Sequence, residues 1–101
     1  MTIALTSAQN RFLRGQAHHL KILLQTGDKG LTSAFLSELN DVLERHELIK
    51  VKVVNDDREM RDMLIATLTA QSGSVLVQRI GHIAILYRCS KGRCQIVLPR
   101  A

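Results

Sequence analysis

Apolar positions change their spacing several times along the chain, and each change marks a structural element. Leu31, Ala34, Phe35, Leu39, Val42 and Leu43 recur at the i, i+3, i+4 interval of one helix face. Glu38, Asp41, Glu44 and Glu47 fall mainly on the outer side, and His46 lies near the helix end. The period then drops to two. Ile49, Val51 and Val53 alternate with Lys50 and Lys52, which predicts a strand over Ile49–Val54 with its lysines on one face. Upstream, the run Leu20–Gln25 predicts a largely buried first strand. Gly27, Asp28, Lys29 and Gly30 separate it from the helix, and Thr32 is a candidate N-cap.

The flanking segments read in the same way. Thr6 and Gln9 have capping-box spacing and open a helix with Ala8, Phe12 and Leu13 on its apolar stripe. Gly15 implies that this helix is short or has a close packing partner there, and His18-His19 is its expected end. Asp56 with Glu59 predicts a second capping box, followed by a third helix that buries Met60, Met63, Leu64, Thr67 and Leu68 and stops at Gly73. Val75–Ile80 and Ile83–Arg88 read as strands joined by Gly81-His82, a hairpin signal. Gln95-Ile96-Val97-Leu98 is a last short strand or a packed tail, ended by Pro99.

The order is α-β-α-β-α-β-β. A helical crossover makes the first two strands parallel, and the hairpin adds antiparallel pairing. The expectation is one α/β domain over residues 1–101, with a mixed four-stranded sheet packed against helices. At 101 residues, 46% of them hydrophobic, the chain has enough material for one core. Phe12, Phe35 and Tyr87 are its only aromatics, so that core is aliphatic and base stacking on aromatic rings is sparse.

Charge sharpens the picture. The net charge is +5, yet all nine acidic residues lie between Asp28 and Asp62. Residues 1–27 carry Arg11, Arg14 and Lys21 without an acid; residues 63–101 carry Arg79, Arg88, Lys91, Arg93 and Arg100, again without one. A fold that joins the two ends concentrates positive potential and attracts polyanions. No apolar run reaches the about 18–20 residues that span a bilayer, and the N-terminus lacks the pattern of a signal peptide. The expected compartment is the cytoplasm, with no membrane partner. There Cys89 and Cys94 are expected as free thiols, although a bridge is geometrically possible if they flank a hairpin loop.

Few residues suggest catalysis. His18 and His19 are adjacent, with no further ligands at structural-zinc spacing. Asp56, Asp57, Glu59 and Asp62 suit a metal-dependent nuclease on paper, but capping and the helix dipole account for them at a helix start. There is no nucleophile elbow, Walker lysine or dinucleotide fingerprint. The Gly-x-x-Gly loop is a weak signal alone. Before a helix, with a lysine inside it, it suits an anion at the helix N-terminus or a backbone clamp on RNA.

Several strings together resemble a known family. Gly15-x-Ala17-His18, Gly27-Asp28-Lys29-Gly30-Leu31-Thr32, His46-Glu47-Leu48-Ile49-Lys50-Val51-Lys52, Asp57-Arg58-Glu59, Ile80-Gly81 and Leu86-Tyr87-Arg88 are similar to the CRM domain (chloroplast RNA splicing and ribosome maturation) in its stand-alone bacterial form. The resemblance covers nearly the whole chain, in order. It departs at His19 and Ile22, near which the family often carries prolines, and at Cys89, where a proline is common. It implies a fold similar to the C-terminal domain of initiation factor three and an RNA-contacting role for Gly27, Asp28, Lys29 and Gly30. It also implies association with precursors of the large ribosomal subunit.

The combined expectation is a non-enzymatic, monomeric RNA-binding protein whose partner is ribosomal RNA of the large-subunit precursor. The candidate RNA-binding residues are Gly27, Asp28, Lys29, Gly30, Lys50, Lys52, Arg11, Arg14 and Lys21, with no metal or cofactor. The alternatives are a protein-interaction module on the ribosome without direct RNA contact, and a small nuclease.

Overall fold

A chain with this alternation of helical and strand periods must bury one face of each element, and a sheet with helices on both sides does so. The computed structural model describes residues 5–26 and 31–89. Three helices, α1 (Ser7–Ala17), α2 (Ser33–His46) and α3 (Arg58–Ser72), pack on four strands. The strands are β1 (Ile22–Gln25), β2 (Leu48–Lys52), β3 (Val75–Ile80) and β4 (Ile83–Tyr87), in the sheet order β1-β2-β4-β3. β1 and β2 are parallel, and the other pairings are antiparallel. The expected architecture is observed.

Local chemistry starts and stops the helices. Thr6 Oγ1 accepts from the Gln9 N–H at 3.2 Å, while the Gln9 side chain accepts from the Thr6 N–H at 3.1 Å, a complete capping box. Thr32 caps α2 by accepting from the Phe35 N–H at 3.1 Å. Asp57, not Asp56, caps α3, accepting from the Glu59 N–H at 2.9 Å. Gly73 ends α3 with φ 68°, and Gly81, at φ 58°, opens the two-residue turn of the β3–β4 hairpin.

The sheet separates two apolar clusters. On one side, Leu24, Ile49, Val51, Val53, Ala84 and Leu86 pack against Leu39, Val42 and Leu43 of α2 and Ile65 and Leu68 of α3. On the other, Leu48, Ile85 and Tyr87 pack against Leu13 and Ala17 of α1. Truncating a fully buried leucine such as Leu43 to alanine costs about 2–5 kcal/mol in such a core.

Four expectations change. β1 is an edge strand with only Leu24 buried; Ile22 and Leu23 are exposed, because β2 alone flanks it. α3 buries Ile65, Leu68 and Ser72, leaving Met60 and Met63 exposed. Met63 stands roughly 200° around the helix from Ile65. Ser72 tolerates burial because its hydroxyl donates to the Leu68 carbonyl and meets Ser74 Oγ. Glu47 is fully buried, not on the outer face: at φ 64° and ψ −46° it reverses the chain between α2 and β2 in one residue. Cys89 is disulfide-bonded and not a free thiol. The expectation rested on compartment, whereas the sequence spacing permits a bridge. Cys94, Lys91, Arg93, Arg100 and the segment Gln95–Leu98 lie outside the described residues.

Candidate nucleic-acid interface

Among the described residues, α2 and α3 cover one face of the sheet and α1 covers part of the other. Pairing register shows which side chains share that second face. Lys50 of β2 stands beside Ile85 of β4, which stands beside Gln78 of β3. In the next row, Lys52 stands beside Ile83, which pairs with Ile80. Neighbours in register share a face, so these side chains lie on the α1 side, opposite Ile49 and Val51. Period-two alternation thus places the two lysines where helix packing does not bury them. Lys52 is exposed, Lys50 is half-buried, and Ile80 is 55% exposed.

α1 adds further cations at the rim. Arg11 and Arg14 are three residues apart and therefore neighbours on the helix surface, and both are exposed. His18, the C-cap of α1, follows one turn beyond Arg14. Arg14 and His18 join Lys50, Gln78, Ile80, Ile85 and Ala17 around a cavity of about 160 Å³. Lys21 is exposed directly before Ile22, which pairs with Lys50. The structure therefore brings Arg14 and Lys50 to one cavity, keeps Lys52 on the same face of β2, and sets Arg11 one helical turn from Arg14. Gly27, Asp28, Lys29 and Gly30 lie outside the described residues.

The cations divide by what they bond. Arg79 pairs with Asp62 at 3.1 Å. Arg88 donates to the Ser72 carbonyl and Asn40 Oδ1, both at 2.7 Å, and to the Asn40 carbonyl at 3.0 Å. Arg61 donates to the Asn55 carbonyl and meets His82. By contrast, Arg11, Arg14, Lys21, Lys50 and Lys52 make no ion pair or side-chain hydrogen bond among the described residues. Their charge is uncompensated, which favours an anionic partner.

Sequence reasoning missed Gln78, Ile80 and Ile85 as companions of Lys50. The available signal was alternation along the hairpin, but which strand neighbours β2 depends on sheet order. No group of three or more His, Cys, Asp or Glu side chains that could hold a metal occurs among the described residues. Tyr87 is a perturbed titratable group: burial raises its pKa above the ordinary value, and the Glu47 charge adds to the effect.

The model of the CRS1/YhbY (CRM) domain family matches residues 5–88. The chain belongs to this family. A Haemophilus influenzae CRM relative named RNA-binding protein is 44% identical over 95% of this chain and 96% of its own length. A Bacillus subtilis relative, named probable RNA-binding protein YqeI, is 41% identical over 94% of this chain and 99% of its own length. The solution structure of a Staphylococcus aureus protein, described as a candidate RNA-binding protein, superposes with a TM-score of 0.80 at 38% identity. It covers 95% of this chain and 100% of its own. The CRM fold is thus shared over nearly the full length.

Proposed function

We propose that this CRM domain is a non-enzymatic RNA-binding protein that associates with ribosomal RNA in precursors of the large ribosomal subunit. The observation that carries this reading is the set of five cations without a partner among the described residues, Arg11, Arg14, Lys21, Lys50 and Lys52, on and beside the sheet face that α1 partly covers. The names of its relatives support RNA as the partner. Gly27, Asp28, Lys29 and Gly30 add a backbone approach to RNA next to the Thr32-capped start of α2, whose free N–H groups favour phosphate. The protein acts as a monomer in the cytoplasm, and no helix among the described residues is long and apolar enough to cross a membrane.

The test is RNA affinity against salt. Neutralising about four phosphates of single-stranded RNA gives a slope of log K against log salt near roughly −3. Lys50→Gln with Lys52→Gln should weaken binding and make that slope shallower by about 1.4. Lys29→Glu should lower affinity roughly ten- to hundredfold, since a reversed charge faces the phosphate. A slope near zero in the unaltered protein would overturn the electrostatic mechanism. Crosslinking in cells, followed by sequencing of the attached RNA, tests the ribosomal assignment.

A further inference from the structure

The cavity between α1 and the sheet has a composition that general phosphate attraction does not require. Its floor is apolar: Ile85 is 2% exposed, and Ile80 extends the surface outward. Two cations with no partner among the described residues, Arg14 and Lys50, stand at its edge with the His18 ring. Gln78 closes the register row Lys50–Ile85–Gln78, and its amide makes no hydrogen bond among the described residues. Lys50 and Gln78 therefore flank a buried Ile85, and the exposed Ile80 of the next row adds an apolar surface beside the unspent amide. Cation, apolar surface and amide around one cavity match the phosphate, the ring and the polar edge of a nucleotide. The amide offers both a donor and an acceptor to a base edge. His18 and the Arg14 guanidinium supply the flat surfaces on which unstacked bases rest when Phe, Tyr and Trp are scarce.

We infer that this cavity takes one unpaired nucleotide of the bound RNA. The base lies against Ile80 with its edge toward Gln78, and its phosphate lies on Arg14 and Lys50. The inference rests on the RNA-binding reading and narrows it. About 160 Å³ is room on the scale of a single base. A base in a continuous A-form helix stays stacked and paired, away from such a cavity. The preferred RNA therefore carries a bulged or looped-out nucleotide.

Two RNA hairpins test this, one with a single bulged 2-aminopurine and one with the same fluorescent base paired in the stem. The unaltered protein should bind the bulged hairpin about tenfold more tightly, which is about 1.4 kcal/mol. Binding should change 2-aminopurine emission only in the bulged hairpin. Gln78→Ala should lower affinity for the bulged hairpin about tenfold, with its thermal midpoint measured alongside. Equal, measurable affinity for both hairpins would overturn the cavity assignment and leave RNA binding standing. Binding of neither would overturn both. Displacement of the bulged hairpin by free adenosine monophosphate at comparable concentration would overturn the RNA assignment in favour of a small-nucleotide site.

Discussion

Thr26 Oγ1 accepts a hydrogen bond from the Val54 N–H at 2.9 Å, joining the end of β1 to the chain just beyond β2. The Thr26 N–H in turn donates to the Lys52 carbonyl at 2.9 Å, and the side chain is 1% exposed. One residue thus closes the parallel pair immediately before Gly27 and beside Lys52. Thr26→Val keeps the shape but leaves the Val54 N–H without its acceptor, a loss of about 1–3 kcal/mol. The thermal midpoint should fall by roughly 4–8 °C for each kcal/mol. Thr26→Ser retains the acceptor and should melt closer to the unaltered protein. Equal midpoints for the valine and serine variants would remove the hydroxyl as the anchor.

Gly15 lies inside α1, and a Cβ added there meets no atom beyond its own helix within 4 Å among the described residues. None of those residues packs closely enough to require its small size. Gly15→Ala should raise stability by about 0.5–1 kcal/mol through helix propensity alone. A melt followed by circular dichroism checks this, and an unchanged or lower midpoint would contradict it.

How far the sequence revealed this molecule depended on the range of the interactions. Thr6 with Gln9, Thr32, Gly73 and Gly81 were legible because caps and turns are satisfied within a few residues. The alternation through Ile49–Val53 gave the correct faces of β2, and with them the exposure of Lys52, while Lys50 is half-buried. The apolar run at Leu20–Gln25 suggested burial, but sheet order sets β1 at an edge. Leu68 is buried as its spacing suggested, but Met60 and Met63 are not; α3 turns Ile65 inward because the sheet and α2 lie there. The company of Lys50 was unreadable for the same reason, since Gln78 reaches its row only through the central position of β4.

Arg88 fastens three elements, since its Nη atoms bond the Ser72 carbonyl at the end of α3 and Asn40 in α2 from a position just beyond β4. Its ion pair with Glu44 is partly exposed at 3.4 Å and contributes little. Lysine keeps the charge but cannot span these acceptors with a planar fork. Arg88→Lys should destabilise by about 1–3 kcal/mol. Urea unfolding measures this, and an unaltered unfolding midpoint would show that the fork is dispensable.

Tyr87 is the chain's single tyrosine and there is no tryptophan, so its ionisation can be followed without overlap by ultraviolet absorbance. Burial first, and the Glu47 charge second, raise its pKa. With the folded value above the unfolded one of about 10, the neutral phenol favours the fold. Its contribution is fully present below the unfolded value and is lost as pH rises through the folded one. Absorbance should therefore titrate above the ordinary tyrosine range, and stability should decline over the same alkaline window. Glu47→Gln should lower the midpoint part of the way. A midpoint at the ordinary value would contradict the described environment.

The position of β1 has a further consequence, for the order in which the sheet opens. It contributes four residues, has one strand neighbour among the described residues, and its register shifts between Ile22 and Leu24. β4, between β2 and β3, is held on both edges. Amide protons of β4 should then exchange with solvent only through global unfolding, while those of β1 escape through a smaller, local opening. A ligand bridging Lys21 and Lys50 would tie this loosest strand to its neighbour, so its arrival would be recorded as slowed exchange at Ile22–Gln25.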